Sequence, residues 1–147
     1  MRLVAVCAES IAMEVDIAIF ARAPVAGQAK TRLIPMLGAQ GAAHLQHELM
    51  RRALATALAA NLGPVSVWCT PDCQHPAFDA CSKQPGVSLF PQRGADLGMR
   101  MFHTFTELCA QRPTLIIGTD CPALSAEMLR AAAKVLLDGN DATMIPA

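Results

Sequence analysis

Short apolar runs recur along the chain, each followed by a longer segment whose apolar positions fall at helical spacing. Residues 15–20 (VDIAIF) are apolar apart from Asp16 and rich in β-branched side chains, as a buried strand requires. Residues 65–69 (VSVWC), 87–90 (VSLF) and 114–118 (TLIIG) repeat the signal, the last most clearly. Residues 38–61 predict a long helix, with Leu45, Leu49, Ala53 and Leu58 near one stripe and Gly63 and Pro64 as its stop. A brief helix is expected over 76–83. Residues 95–111 predict another, with Leu97, Met101, Phe105 and Leu108 on one face. The last helix opens at Ser125, a plausible N-cap, and closes at Gly139. Residues 141–147 (DATMIPA) read as the start of a fifth strand.

Strand and helix alternate throughout. That pattern predicts an α/β fold of three layers, an open and mostly parallel sheet sandwiched between helices. In such sheets ligands bind beyond the carboxyl ends of the strands, near the point where strand order reverses. Two segments are placed there: residues 20–33 (FARAPVAGQAKTRL) after the first strand, and residues 118–122 (GTDCP) after the fourth.

The chain has 147 residues, 53% hydrophobic and 16% charged, enough for one domain with a real core. Residues 1–14 read as an N-terminal extension and 15–147 as the α/β domain. Twelve basic residues balance twelve acidic ones, which argues against the basic face that a nucleic-acid partner needs. The distribution is less even than the total. Between Asp16 and Glu48 there is no acid, whereas Arg22, Lys30 and Arg32 all fall there. A confined positive field suits a small anion better than a polymer. The six cysteines include no CxxC pair, the N-terminus makes a poor signal peptide, and no apolar stretch suits a bilayer. A cytoplasmic protein with reduced thiols and no membrane partner is expected.

In the basic loop, Gly27 would let the backbone approach a ligand, and Lys30 and Arg32 can neutralise phosphate oxygens. The spacing is neither a P-loop nor GxGxxG, and an ordinary solvated loop is the plain rival. Asp120, at a strand end, could hold Mg²⁺ or Mn²⁺ together with phosphates; a turn aspartate is the rival. Asp96 could hold a ribose hydroxyl or a base edge, cap the helix beginning at Leu97, or do both. Cys69, Cys73, His75 and Cys81 lack the tight spacing of a zinc site and read as free thiols. His44 and His47 read as exposed helix residues.

Three ordered segments carry a resemblance. Residues 17–33 (IAIFARAPVAGQAKTRL), 92–101 (QRGADLGMRM) and 117–124 (IGTDCPAL) resemble motifs of a bacterial glycosyltransferase-like family of uncharacterised transferases. That family lies within the nucleotide-diphospho-sugar transferase superfamily, of GT-A fold. The resemblance implies that Arg22, Gly27, Lys30 and Arg32 surround nucleotide phosphates, that Asp96 lies by the nucleoside, and that Asp120 binds the metal. It implies a nucleotide or nucleotide-sugar donor, a divalent cation and an unknown acceptor. Cofactor-precursor guanylyltransferases share the fold, so nucleotidyl transfer with pyrophosphate leaving is one alternative, and a catalytically silent nucleotide-binding or interaction module another. The sequence departs from the family pattern at Met99, where an acid is frequent, and at Ala26, where proline is. Relatives also continue beyond Pro146 and Ala147. A fold cut short there would leave the fifth strand as an edge and expose Met128, Leu129, Val135 and Leu136. A homo-oligomer is therefore expected.

Overall fold

The computed structural model describes residues 14–146. The proposed extension therefore lies outside the described residues, apart from Glu14. Four strands form one all-parallel sheet: β1 (Asp16–Arg22), β2 (Val65–Thr70), β3 (Val87–Pro91) and β4 (Thr114–Ile117). Four helices connect and follow them: α1 (Ile34–Ala60), α2 (Pro76–Ser82), α3 (Leu97–Leu108) and α4 (Ala126–Leu137). The mostly parallel three-layer α/β expectation holds.

Strand order across the sheet is β3-β2-β1-β4. The chain builds outward from β1 to β3, then returns through α3 to pair β4 with the other side of β1. Ile17 faces Val65 on one flank and Leu115 on the other. Strand order thus reverses between β1 and β4, and in such sheets the ligand crevice lies beyond the carboxyl ends at that point. Right-handed crossovers put α1 and α2 on one face and the returning α3 on the other. Helix α4 packs beside α1. Ile17, Ile19, Val67, Met50, Phe78 and Leu129 are fully buried between the layers.

Local sequence sets the helix ends. Pro76 begins α2, with His75 Nδ1 accepting from Ala77 N at 3.1 Å. Asp96 caps α3 by accepting from Met99 N at 2.8 Å, and Ser125 caps α4 by accepting from Met128 N at 3.2 Å. The first turn of α1 is set off from the rest at Gly38, whose φ of 70° and ψ of 166° are not helical.

Several details differ from the sequence reading. The buried stripe of α1 is Ala42, Ala43, Gln46, Met50, Leu54, Ala57 and Ala60. Leu45, Leu49, Ala53 and Leu58 flank it half-buried. Leu97 is exposed rather than on the inner face of α3. Leu129 is core, not part of an exposed patch, because α4 turns it toward the sheet. Residues 141–146 form no strand: Ile145 packs on the core as irregular chain. Among the described residues, β4 is therefore an edge of the sheet. No helix among them is long and apolar enough to cross a membrane.

Asp16, the polar interruption in the first strand, is buried at the opposite end of the sheet from the crevice. Its carboxylate accepts from Arg112 Nε at 3.2 Å, which lets a charge sit in the core.

Candidate functional site

The carboxyl ends of all four strands open into one cavity of about 640 Å³. Along the sheet, its wall passes from Gln92 after β3, to Thr70 at the end of β2, to Arg22 at the end of β1, to Asp120 after β4. Three strand spacings separate the extremes, so the cavity runs roughly 14 Å across the sheet.

The basic loop supplies one wall. Val25 O accepts from both Gln28 N and Ala29 N at 3.0 Å, which closes a tight turn. Gly27 occupies its exposed tip with φ of 82°. Turn conformation explains this glycine; it lies outside the cavity lining. Lys30 follows in the left-handed region, φ 47° and ψ 46°, uncommon for a residue with a Cβ. Its carbonyl accepts from Leu33 N at 2.8 Å and opens a short 3-10 turn, Thr31–Leu33, that leads into α1. That geometry sends the Lys30 side chain inward, only 13% exposed, while Arg32 lines the cavity from the turn. No acid lies in the first turn of α1 to offset the helix's positive end.

The wall opposite comes from the end of β4. Lys30 Nζ donates to Asp120 Oδ1 at 2.7 Å, across 90 residues of sequence. Thr119 Oγ1 donates to the same oxygen at 3.3 Å. The Asp120 side chain is 72% exposed. Beneath these groups sits Gln46, buried on α1. Its Nε2 donates to Arg22 O at 3.0 Å and to Thr119 Oγ1 at 3.5 Å, tying the ends of β1 and β4 together.

The far end, by β2 and β3, is built differently. Arg100 Nε donates to Gly94 O at 3.1 Å and its Nη1 to Thr70 Oγ1 at 3.5 Å. Gly94 has φ of 139°, and a Cβ there would stand 2.8 Å from Arg100 N; only glycine lets the loop fold this close over α3. Gln92 Nε2 donates to Trp68 O at 2.7 Å, which fixes the amide and leaves Oε1 as its open acceptor.

Of the residues singled out from sequence, Arg22, Lys30, Arg32 and Asp120 converge on the cavity, whereas Gly27 and Asp96 stand outside its lining. Asp96 serves as the α3 cap. Sequence reasoning missed Gln46, Thr70, Gln92 and Arg100. One signal was available for Gln46: a lone amide on the apolar stripe of a helix. Arg100 could have been found one helical turn beyond the Asp96 cap.

Four cationic side chains face one carboxylate here, a field that selects anions. Among the described residues, no group of three or more His, Cys, Asp or Glu side chains could hold a metal ion. A cation at Asp120 would draw its other ligands from water and phosphate oxygens. That is the habit of Mg²⁺, so the residues present fit it. No cysteine among the described residues lines the cavity. Cys69 and Cys81 are buried, and burial pushes both thiols up from their ordinary value; for Cys69 the neighbouring Cys73 adds to the effect.

The fold has solved counterparts. A protein from Desulfovibrio desulfuricans G20, provisionally named a nucleotide-diphospho-sugar transferase, superposes with a TM-score of 0.74 at 26% identity, over 84% of this chain and 54% of that one. A cytidylyltransferase from Leptospira borgpetersenii serovar Hardjo-bovis (strain JB197) shares the fold with a TM-score of 0.52 at 19% identity, over 88% of this chain and 51% of that one. The chain therefore spans about half the length of each. No curated protein matches it in sequence. With residues 53–147 matched, well over half its length, the chain belongs to the family described as uncharacterized protein conserved in bacteria (DUF2064).

Proposed function

We propose that the cavity binds the nucleoside diphosphate part of a nucleotide-sugar donor, and that the protein takes part in sugar transfer. The observation that carries this reading is the distribution of charge along the cavity. Lys30, Arg32 and Asp120 crowd the end at the β1–β4 switch, with Arg22 beside them. Gln92, Thr70 and Leu97 make the less charged end, with Arg100 their one cation. An elongated ligand with anionic and neutral halves fits that asymmetry. The diphosphate belongs against Lys30 and Arg32, and the nucleoside between Thr70, Gln92 and Arg100. The name of the Desulfovibrio protein, at 26% identity, supports the same donor class.

In sugar transfer, the bond between the anomeric carbon and the diphosphate oxygen breaks, and the electron pair leaves with the nucleoside diphosphate. A bond to the acceptor oxygen forms at the same carbon as the acceptor loses its proton. Lys30 and Arg32 would hold the phosphate oxygens and offset the charge that grows on the leaving group. A divalent cation held at Asp120 would supply further Lewis-acid stabilisation. Thr119 and Gln46 would keep the Asp120 carboxylate aimed into the cavity. Acceptor contacts and a base for its proton are assigned to no residue.

Calorimetric titration of UDP, GDP and CDP, each with and without Mn²⁺, tests the binding half. The expected result is Mn²⁺-dependent binding of at least one diphosphate, stronger than that of its nucleoside. No binding of any nucleotide in either condition overturns the reading. Turnover with radiolabelled donors tests the chemistry: release of nucleoside diphosphate supports sugar transfer, and release of pyrophosphate from a triphosphate indicates nucleotidyl transfer instead.

A further inference from the structure

We infer that Lys30 and Asp120 form a latch that makes the phosphate ligand and the divalent cation bind jointly, each poorly without the other. This rests on the reading above, in which Lys30 receives phosphate and Asp120 the cation. The two groups now neutralise each other, Nζ to Oδ1 at 2.7 Å. Among the ion pairs of the described residues, neither has a second partner.

The pair is held from both sides. The left-handed backbone of Lys30 is fixed by the turn before it and the 3-10 turn after it, so the side chain sets out toward the cavity. Asp120 is steadied by Thr119, and Thr119 by Gln46. The Lys30 side chain is 13% exposed and that of Asp120 is 72% exposed. An ammonium that shielded has little water to fall back on when its partner is taken away.

Consider each ligand alone. A cation arriving at Asp120 meets an ammonium already on Oδ1, and must either displace it or sit beside a like charge. A phosphate arriving at Lys30 meets the Asp120 carboxylate. The ammonium repels the cation, the carboxylate offsets part of the attraction that the arginines exert on the phosphate, and both arrivals break the same ion pair. When phosphate and cation arrive together, ammonium–phosphate and cation–carboxylate contacts replace the one pair lost, and the charges alternate in sign. The opening cost is met once for two ligands. That is a coupling between sites, and such couplings commonly amount to about 5- to 150-fold in affinity.

Direct chelation of Mn²⁺ by a nucleotide also couples the two, so the test turns on the cation alone. The latch makes an unusual demand: removing a phosphate-binding lysine should improve metal binding. Free Mn²⁺ is measured by electron paramagnetic resonance against the parent protein, Lys30→Met, Lys30→Arg and Asp120→Asn, without nucleotide. Lys30→Met should hold Mn²⁺ at least about 5-fold more tightly than the parent. Lys30→Arg keeps the charge and should stay near the parent. Asp120→Asn should abolish the tightened binding when combined with Lys30→Met. In the same proteins, calorimetry should show diphosphate binding weakened by Lys30→Met, and less dependent on Mn²⁺. A Lys30→Met protein that binds Mn²⁺ no better than the parent overturns the latch, as does tightened binding that survives Asp120→Asn. Failure of the parent to bind any nucleotide with Mn²⁺ present would instead strike the functional reading beneath it.

Discussion

Gln46→Leu is the most informative single change at the site, because it separates holding the site together from touching the ligand. Gln46 is 4% exposed, and leucine, one atom shorter and branched one carbon earlier, comes close to its volume without a polar group. What disappears is one good hydrogen bond, Nε2 to Arg22 O at 3.0 Å, and one long one, to Thr119 Oγ1 at 3.5 Å. Leaving a buried acceptor without its donor costs about 1–3 kcal/mol, and burying leucine instead of an amide offsets part of it. A net loss of about 1–2 kcal/mol lowers the melting temperature by roughly 2–8 °C in a chain of this size. The functional effect follows from Thr119, which loses its tether and steadies Asp120 less well. A weakening of about 1 kcal/mol there corresponds to roughly 5-fold in affinity. Melting by circular dichroism and calorimetric titration of a nucleoside diphosphate, with and without Mn²⁺, provide the readouts. Only the Mn²⁺-dependent part of the affinity should fall. An unchanged melting temperature with unchanged affinity refutes the tether. A lower melting temperature with unchanged affinity confines Gln46 to folding.

Gly94→Ala should destabilise the loop over α3 by about 1–3 kcal/mol, since its φ of 139° is strained for alanine and its Cβ would meet backbone at 2.8 Å; denaturant melts should show it, and parental stability would refute the close approach. Arg112→Met strands the buried Asp16 carboxylate and should cost about 2 kcal/mol, less than the roughly 3–5 kcal/mol of a fully buried pair because the arginine side chain is itself partly exposed. The double change with Asp16→Asn should recover part of that loss, and a full additive loss would refute the pairing. Stability should fall at alkaline pH: the folded state keeps the Cys69 and Cys81 protons above their ordinary value, whereas the unfolded chain releases them near about 8.5. Their raised folded values mean that this stability is fully present below that pH and lost above it. The chain has no tyrosine to confuse the titration. Denaturation from pH 7 to 10 should therefore show a slope that Cys69→Val with Cys81→Val reduces; an equal slope in the variant would sink the assignment.

Strands were legible because each is a short apolar run bounded by turn residues, and helix ends because Ser125, Asp96 and Pro76 carry their own capping chemistry. The basic loop and Asp120 were legible as types of residue at strand ends. That they touch was not, since their contact depends on β4 returning to the far side of β1, a matter of topology rather than of local pattern. Gln46 was hidden for another reason. Periodicity ranks positions by hydrophobicity, and a buried amide with two partners looks like surface. The same rule drew the stripe of α1 through its leucines, whereas tight packing on the sheet prefers the alanines. The fifth strand was read from residues 141–147, a run with little apolar bulk beyond Met144 and Ile145. Apolar character puts Ile145 on the core, but a strand also needs a ladder partner, and residues 141–146 have none among the described residues.

The return of the chain to β1 has a kinetic side. Lys30 and Asp120 are 90 residues apart, and β4, which brings them together, is four residues long and paired on one flank only. Contacts of such long sequence separation form late, after the β1–β2–β3 unit has had local reasons to assemble. They also depend on a short strand that is an edge among the described residues, and such a strand can detach while the rest of the sheet persists. Binding competence is thus tied to the pairing of one short strand as well as to overall stability. The protein can lose its site while still registering as folded, and a ligand that bridges both loops would act first on the amide protection of Leu115, Ile116 and Ile117.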